Sequence, residues 1–182
     1  MINKKIAVVL SLAFLTTFGY GLILPSLSLY AQSLGASRSY IGMIVSVYAL
    51  AQLLTQIPAG RFADRLGRKT LLLVGFIGIA IAAFLNNIGT GPNEFFVFQA
   101  LAGASTGCLW PSLMAVLSEE SRPNTRGKLM GTFATIFFLG MGIGPYVGGL
   151  ISTQYGYLAA FNLWSLSAVG GWIVSALTFQ AA

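Results

Sequence analysis

Long uncharged runs alternate with short polar breaks along the whole chain. Six runs hold no Asp, Glu, Lys or Arg: residues 6–31, 41–60, 70–88, 95–117, 129–151 and 157–179. A helix crosses the hydrocarbon core of a bilayer in about 20 residues, with a range of roughly 17–25. Each run reaches or approaches that length. Strands of a membrane barrel would be about ten residues long and would alternate polar with apolar, which these runs do not. The pattern therefore predicts an all-α membrane protein, one domain over residues 1–182 with six transmembrane helices. The breaks at 32–40, 61–69, 89–94, 118–128 and 152–156 are too short to form a domain, so neighbouring helices run antiparallel. The first run could be mistaken for a secretory signal. At 26 residues it exceeds the roughly 7–15 of a signal's apolar region and reads as a retained helix.

Composition agrees. Hydrophobic residues make up 56% of the chain and charged residues 8%, against about 25% charged in soluble domains. The net charge of +6 does not form one patch, which argues against a nucleic-acid partner; the charges sit in the breaks. With a cytoplasmic N-terminus, the inner side carries Lys4, Lys5, Arg61, Arg65, Arg68, Lys69, Arg122, Arg126 and Lys128, and the outer side only Arg38. That bias predicts both termini in the cytoplasm and a multi-pass protein of the plasma (inner) membrane, in contact with membrane lipid. Cys108 is the single cysteine and there is no histidine. No disulfide framework, metal site or cofactor is expected. No nucleophile–base pair suggests an enzyme.

An internal repeat divides the chain. Residues 21–27 and 107–113 both read G-x-x-x-P-S-L, 86 residues apart. Pro58, Gly60 and Gly67 are echoed by Pro145, Gly148 and Gly156. A period that spans three helices turns the second unit upside down relative to the first, giving two inverted three-helix repeats.

The most polar stretch is Gly60-Arg61-Phe62-Ala63-Asp64-Arg65-Leu66-Gly67-Arg68-Lys69, which holds five of the fourteen charges. Basic residues alone would enforce topology and hold the break at an anionic leaflet. They do not account for Asp64, Gly60 or Gly67. The order G-x-x-x-D-R-x-G-R-K resembles the loop between the second and third helices of the major facilitator superfamily of transporters, with no departure at its fixed positions. The resemblance covers the whole chain as the N-terminal six-helix half of that fold. It implies secondary transport of a small molecule by alternating access. It further implies that Asp64, with Gly60, Arg65, Gly67, Arg68 and Lys69, forms a conformational gating loop that engages the other half. Glu119 and Glu120 face the same compartment and are expected partners for Arg61 or Arg65.

The fifth run contains Gly140-Met141-Gly142-Ile143-Gly144-Pro145-Tyr146-Val147-Gly148-Gly149. Gly140, Gly144 and Gly148 share one helix face and permit close approach of another helix. Pro145 removes a backbone donor and predicts a kink. With Gly149, the pattern G-x-x-x-G-P-x-x-G-G resembles the helix-5 motif of the drug and proton antiporter branches, implying efflux. A generic packing face is the plainer reading.

In helix 4 the family often carries an arginine where this chain has Gln99, followed by Gly103 and Gly107. The six runs also lack any carboxylate, so a coupling acid of the usual buried kind is not among them. Tyr48, Gln52 and Gln56 share a face, for lining a cavity or for packing. Tyr20, Gln52, Gln99 and Trp110 are the candidate cavity residues. Such a cavity is mostly apolar and aromatic, suited to lipophilic or neutral solutes.

Family members normally have twelve helices in two halves. The resemblance therefore implies a second six-helix half as partner: a missing C-terminal half, a separate chain, or a second copy. The competing reading is a non-transporting membrane interaction protein, docking through the Gly140/Gly144/Gly148 face.

Overall fold

The computed structural model describes residues 3–179. Six helices follow in order: α1 (Lys4–Ser33), α2 (Arg38–Leu66), α3 (Arg68–Ile88), α4 (Pro92–Glu119), α5 (Arg126–Tyr155) and α6 (Tyr157–Thr178). All six are long and apolar enough to cross a membrane.

The first five helices are longer than the uncharged runs that predict them. An uncharged run marks what a bilayer tolerates, whereas helical hydrogen bonding continues through Arg, Lys and Glu, which are good helix formers. The difference is largest at the basic stretch. It is not a loop of nine residues. α2 runs on through Arg61, Asp64 and Arg65 to Leu66, Gly67 is the whole link, and α3 begins at Arg68. At the other links, the Ser37 hydroxyl accepts the Tyr40 N–H at 3.2 Å and caps α2. Pro92 stands at the first position of α4, where its missing N–H costs nothing. Pro25, Pro58, Pro111 and Pro145 lie inside α1, α2, α4 and α5 without ending them.

α1 and α4 are the most buried helices and form the centre. α5 packs along α1, and α2 packs along α4; α3 lies against α4, α6 against α1, and α3 against α6. Exchanging α1 with α4, α2 with α5 and α3 with α6 leaves this set of neighbours unchanged. The inverted repeat read from two short motifs is thus a two-fold relation of the packing. Each main pair takes one helix from each repeat, and its two members run in the same direction.

Glycine sets the closeness of both pairs. In α5, Gly140 faces Thr17, Gly144 faces the Phe18 carbonyl and Gly21, and Gly148 faces the Leu22 carbonyl. In α4, Gly103 faces the Tyr48 carbonyl, and Gly107 faces Gln52 and Thr55. A methyl group on Gly103 or Gly148 would overlap a backbone carbonyl. Lipid tails are as apolar as leucine, so packing this close, rather than expulsion of water, holds membrane helices together.

Candidate functional site

The basic end gathers the N-terminus of α1, the α2–α3 link and the end of α4. Gly67 has φ 83° and ψ 145°, a conformation open essentially to glycine alone. A single residue reverses the chain here because glycine stands there. Asp64 and Arg65 are exposed on the last turn of α2, while Arg68 and Lys69 are partly buried in the first turn of α3.

Two ion pairs cross this end among the described residues. Arg68 pairs with Glu119, and the Lys5 Nζ lies 2.9 Å from the Glu120 Oε1. The Asn3 Nδ2 also donates to the Glu120 Oε2 at 2.7 Å. The partners of the two glutamates are therefore Arg68 and Lys5, not Arg61 or Arg65. The reason is packing. Arg61 and Arg65 lie on the exposed side of α2, whereas Arg68 opens α3, which lies directly against α4. The hydrogen bond from Lys5 holds the Glu120 carboxyl below its usual range, helped by the Lys5 charge and by Asn3 and opposed by partial desolvation. Asp64 makes no ion pair with any described residue. Lys5, Asp64, Arg68, Lys69, Glu119 and Glu120 all line one cleft of about 920 Å³.

The helix-5 motif divides between two faces. Gly140, Gly144 and Gly148 are buried against α1, with Pro145 beside Gly21. Gly149 has open space where a side chain would be. α5 continues as helix through Pro145.

The candidate cavity residues fall into different surroundings. Tyr20 is buried; its ring stacks on Tyr48 at 3.9 Å and meets Trp164 edge-on at 6.4 Å. The Tyr48 hydroxyl donates to the Thr106 Oγ1 at 3.1 Å, and that hydroxyl donates to the Ala102 carbonyl at 2.9 Å. Trp110 is buried against Phe133 and Phe137 of α5, at 5.7 and 5.4 Å. These aromatic contacts are where α1 meets α2 and where α4 meets α5, two junctions exchanged by the two-fold relation. Gln52 is half-buried, and Gln99 is fully buried with neither amide atom partnered. Sequence reasoning missed Phe133, Phe137 and Trp164 as aromatic partners, and the half-buried stack of Phe14 on Phe18 at 5.4 Å. The i, i+4 spacing of Phe14 and Phe18 was a readable signal; contacts between helices leave none. These contacts are aromatic stacking and dispersion, with few hydrogen-bonding groups.

The family model described as Major Facilitator Superfamily matches residues 9–181. The chain belongs to the major facilitator superfamily. This is a family of carriers rather than enzymes, and with six apolar helices the chain is an integral multi-pass membrane protein. Among curated relatives, an uncharacterized MFS-type transporter of Methanocaldococcus jannaschii is 27% identical, over 98% of this chain and 46% of its own length. Multidrug resistance protein 1 of Bacillus subtilis is 28% identical, over 98% of this chain and 46% of its own. Quinolone resistance protein NorA of Staphylococcus aureus is 29% identical, over 82% of this chain and 39% of its own. The chain thus spans less than half the length of these facilitator relatives. Its fold matches that of the crystallised peptide transporter POT with a TM-score of 0.87, covering 97% of this chain and 38% of that one at 23% identity.

Proposed function

We propose that this chain is the N-terminal half of a facilitator-type carrier that moves a small lipophilic solute across the plasma (inner) membrane by alternating access, in the direction of export. Both termini lie in the cytoplasm and the second wall of the cavity comes from another six-helix half. The observation that carries this reading is the basic link. Arg68 of the link and Lys5 of α1 are paired with Glu119 and Glu120 within this half, while Asp64 stands exposed and unpaired among the described residues. A carboxylate presented this way suits a helix N-terminus of the opposite half, where the dipole favours a negative charge. Gly67 shapes the link, Gly60 lies within α2 where it passes Pro111 of α4, and Arg65 and Lys69 hold the link at the anionic leaflet. Export is favoured by the resistance proteins among the relatives. On the cavity side we assign Tyr20, Gln52 and Trp110, with Gln99 behind them.

The test is transport by the full-length protein in proteoliposomes, with fluorescent lipophilic dyes, sugars and amino acids as probes. Movement of a lipophilic probe down or against a gradient is the expected result. If no probe is moved or bound, transport fails as a reading and a docking role through the Gly140/Gly144/Gly148 face takes its place.

A further inference from the structure

The two-fold relation of the packing exchanges α2 with α5, and the glycine contacts fix its register. A methyl group on Gly107 of α4 would meet Gln52, Thr55 and Gln56 of α2. One on Gly21 of α1, the counterpart of Gly107 in the repeated motif, would meet Gly140, Gly144 and Pro145 of α5. The step from Gln52 to Gly140 is 88 residues, and from Thr55 to Gly144 and Gln56 to Pro145 it is 89. The links Gly67 and Gly156 also stand 89 apart. Taken at 89, the step carries Ile57 to Tyr146, Gly60 to Gly149 and Asp64 to Thr153.

The face of α5 reached in this way is a groove. Pro145, Tyr146, Gly149, Leu150, Thr153 and Gln154 line about 380 Å³ at the end of the bundle remote from the basic link. Glycine at 149 leaves the room, since nothing in this half stands where its side chain would be. Tyr146 is 71% exposed and Leu150 47%. The Thr153 hydroxyl donates to the Gly149 carbonyl at 2.8 Å, so its proton is already used within the helix. No Asp, Glu, Lys or Arg follows Lys128 in the chain.

We propose that this groove is the outer counterpart of the Asp64 contact: a socket that takes an aliphatic or aromatic side chain of the second six-helix half when the carrier is shut at the end remote from the basic link. The inference rests on the carrier reading above. Two observations select the second half as occupant. The groove occupies on α5 the place that the Asp64 face occupies on α2, and the chain spans less than half the length of its facilitator relatives. The chemistry of the lining selects an uncharged side chain. Thr153 stands where the other end has a carboxylate, and the closure here is packing and dispersion, the forces that join helices in lipid. The two ends are then shut by unlike means: one contact carries a charge and weakens in salt, the other does not.

Photocrosslinking of the full-length protein in proteoliposomes identifies what covers the groove. With p-benzoylphenylalanine in place of Leu150, irradiation is expected to give an adduct to a peptide of the second half, read by mass spectrometry. Adducts to phospholipid alone overturn the socket. Gly149→Trp fills the groove from this side. With Gln52→Cys as the only cysteine, it is expected to quicken alkylation from the outer side several-fold, whereas Gly170→Trp, on α6 where a side chain also meets nothing, leaves the rate unchanged. Equal outer rates in Gly149→Trp and its parent overturn the socket. Transport by the parent separates the two readings: lipid adducts or equal rates in a protein that moves its probe overturn the socket alone, and a protein that moves no probe overturns the carrier reading and the socket with it.

Discussion

Gly67 and Gly156 hold nearly the same backbone conformation at opposite ends of the bundle, φ 83°, ψ 145° and φ 82°, ψ 166°. Each is the whole link between two helices, one in each repeat. Gly67 is flanked by Arg65, Arg68 and Lys69, whereas residues 152–157 carry no charge. The turn is repeated and the charge is not. The charges at Gly67 are therefore not needed to reverse the chain.

A first prediction follows from that pair. Alanine at either position must adopt a conformation that costs roughly 1–3 kcal/mol. Gly67→Ala and Gly156→Ala are expected to lower thermal stability in detergent by similar amounts. A cost at only one of them would mean that the links are not equivalent.

The role of Asp64 is separable from the turn. A carboxylate at a helix end contributes about 0.3–1 kcal/mol, up to ~2 when partly buried, and about 1.4 kcal/mol alters a two-state population tenfold. Asp64→Asn is expected to bias the full-length carrier toward the state open at the basic end. Gln52→Cys, at a half-buried position assigned above to the cavity side, is the reporter once Cys108 and any cysteines of the second half are replaced. Its alkylation from the basic side should quicken in Asp64→Asn, with expression and orientation unchanged. Equal rates would leave Asp64 a surface charge.

Close packing of α1 on α5 gives a third. A methyl group on Gly148 meets the Leu22 carbonyl, while one on Gly170 meets nothing. Overpacking of this kind costs about 1–3 kcal/mol, whereas alanine gains up to ~1 kcal/mol over glycine in a helix. Gly148→Ala should melt lower than wild type, and Gly170→Ala at the same temperature or above.

The pair of Lys5 and Glu120 carries a pH signature. Its carboxyl is held below the ordinary glutamate range. The contribution is complete above that range and fades as pH falls through the depressed value. The melting difference between wild type and Glu120→Gln should be constant near neutrality and vanish in acid. As an exposed pair it should also shrink in high salt. A difference that persists in acid would place the effect of Glu120 outside this pair.

The six spans and the repeat were legible because each rests on a local pattern: an uncharged run, and a motif recurring at one period. The ends of α2 and α3 were not, since charge marks the membrane boundary and not the end of helical hydrogen bonding. Nor were the partners of Glu119 and Glu120, which depend on the start of α3 and the start of α1 meeting the end of α4. Polarity inside an apolar run marked Gln99 and Trp110, and the family's arginine at that place marked Gln99 again. Neither held information on Phe133 and Phe137, which come from another helix, or on the full burial of Gln99.

The two parallel pairs also bear on how the chain is made. α1 finds its main neighbour in α5, and α2 finds its own in α4, while α1, α2 and α3 share few contacts with one another. The unit that the sequence repeats is therefore not a unit that can settle alone. As the ribosome delivers the chain, the first three helices enter the bilayer with their glycine-fitted neighbours still unmade. Assembly of this half waits until the fifth helix arrives, and a stop after α3 leaves an insertion intermediate rather than a smaller domain.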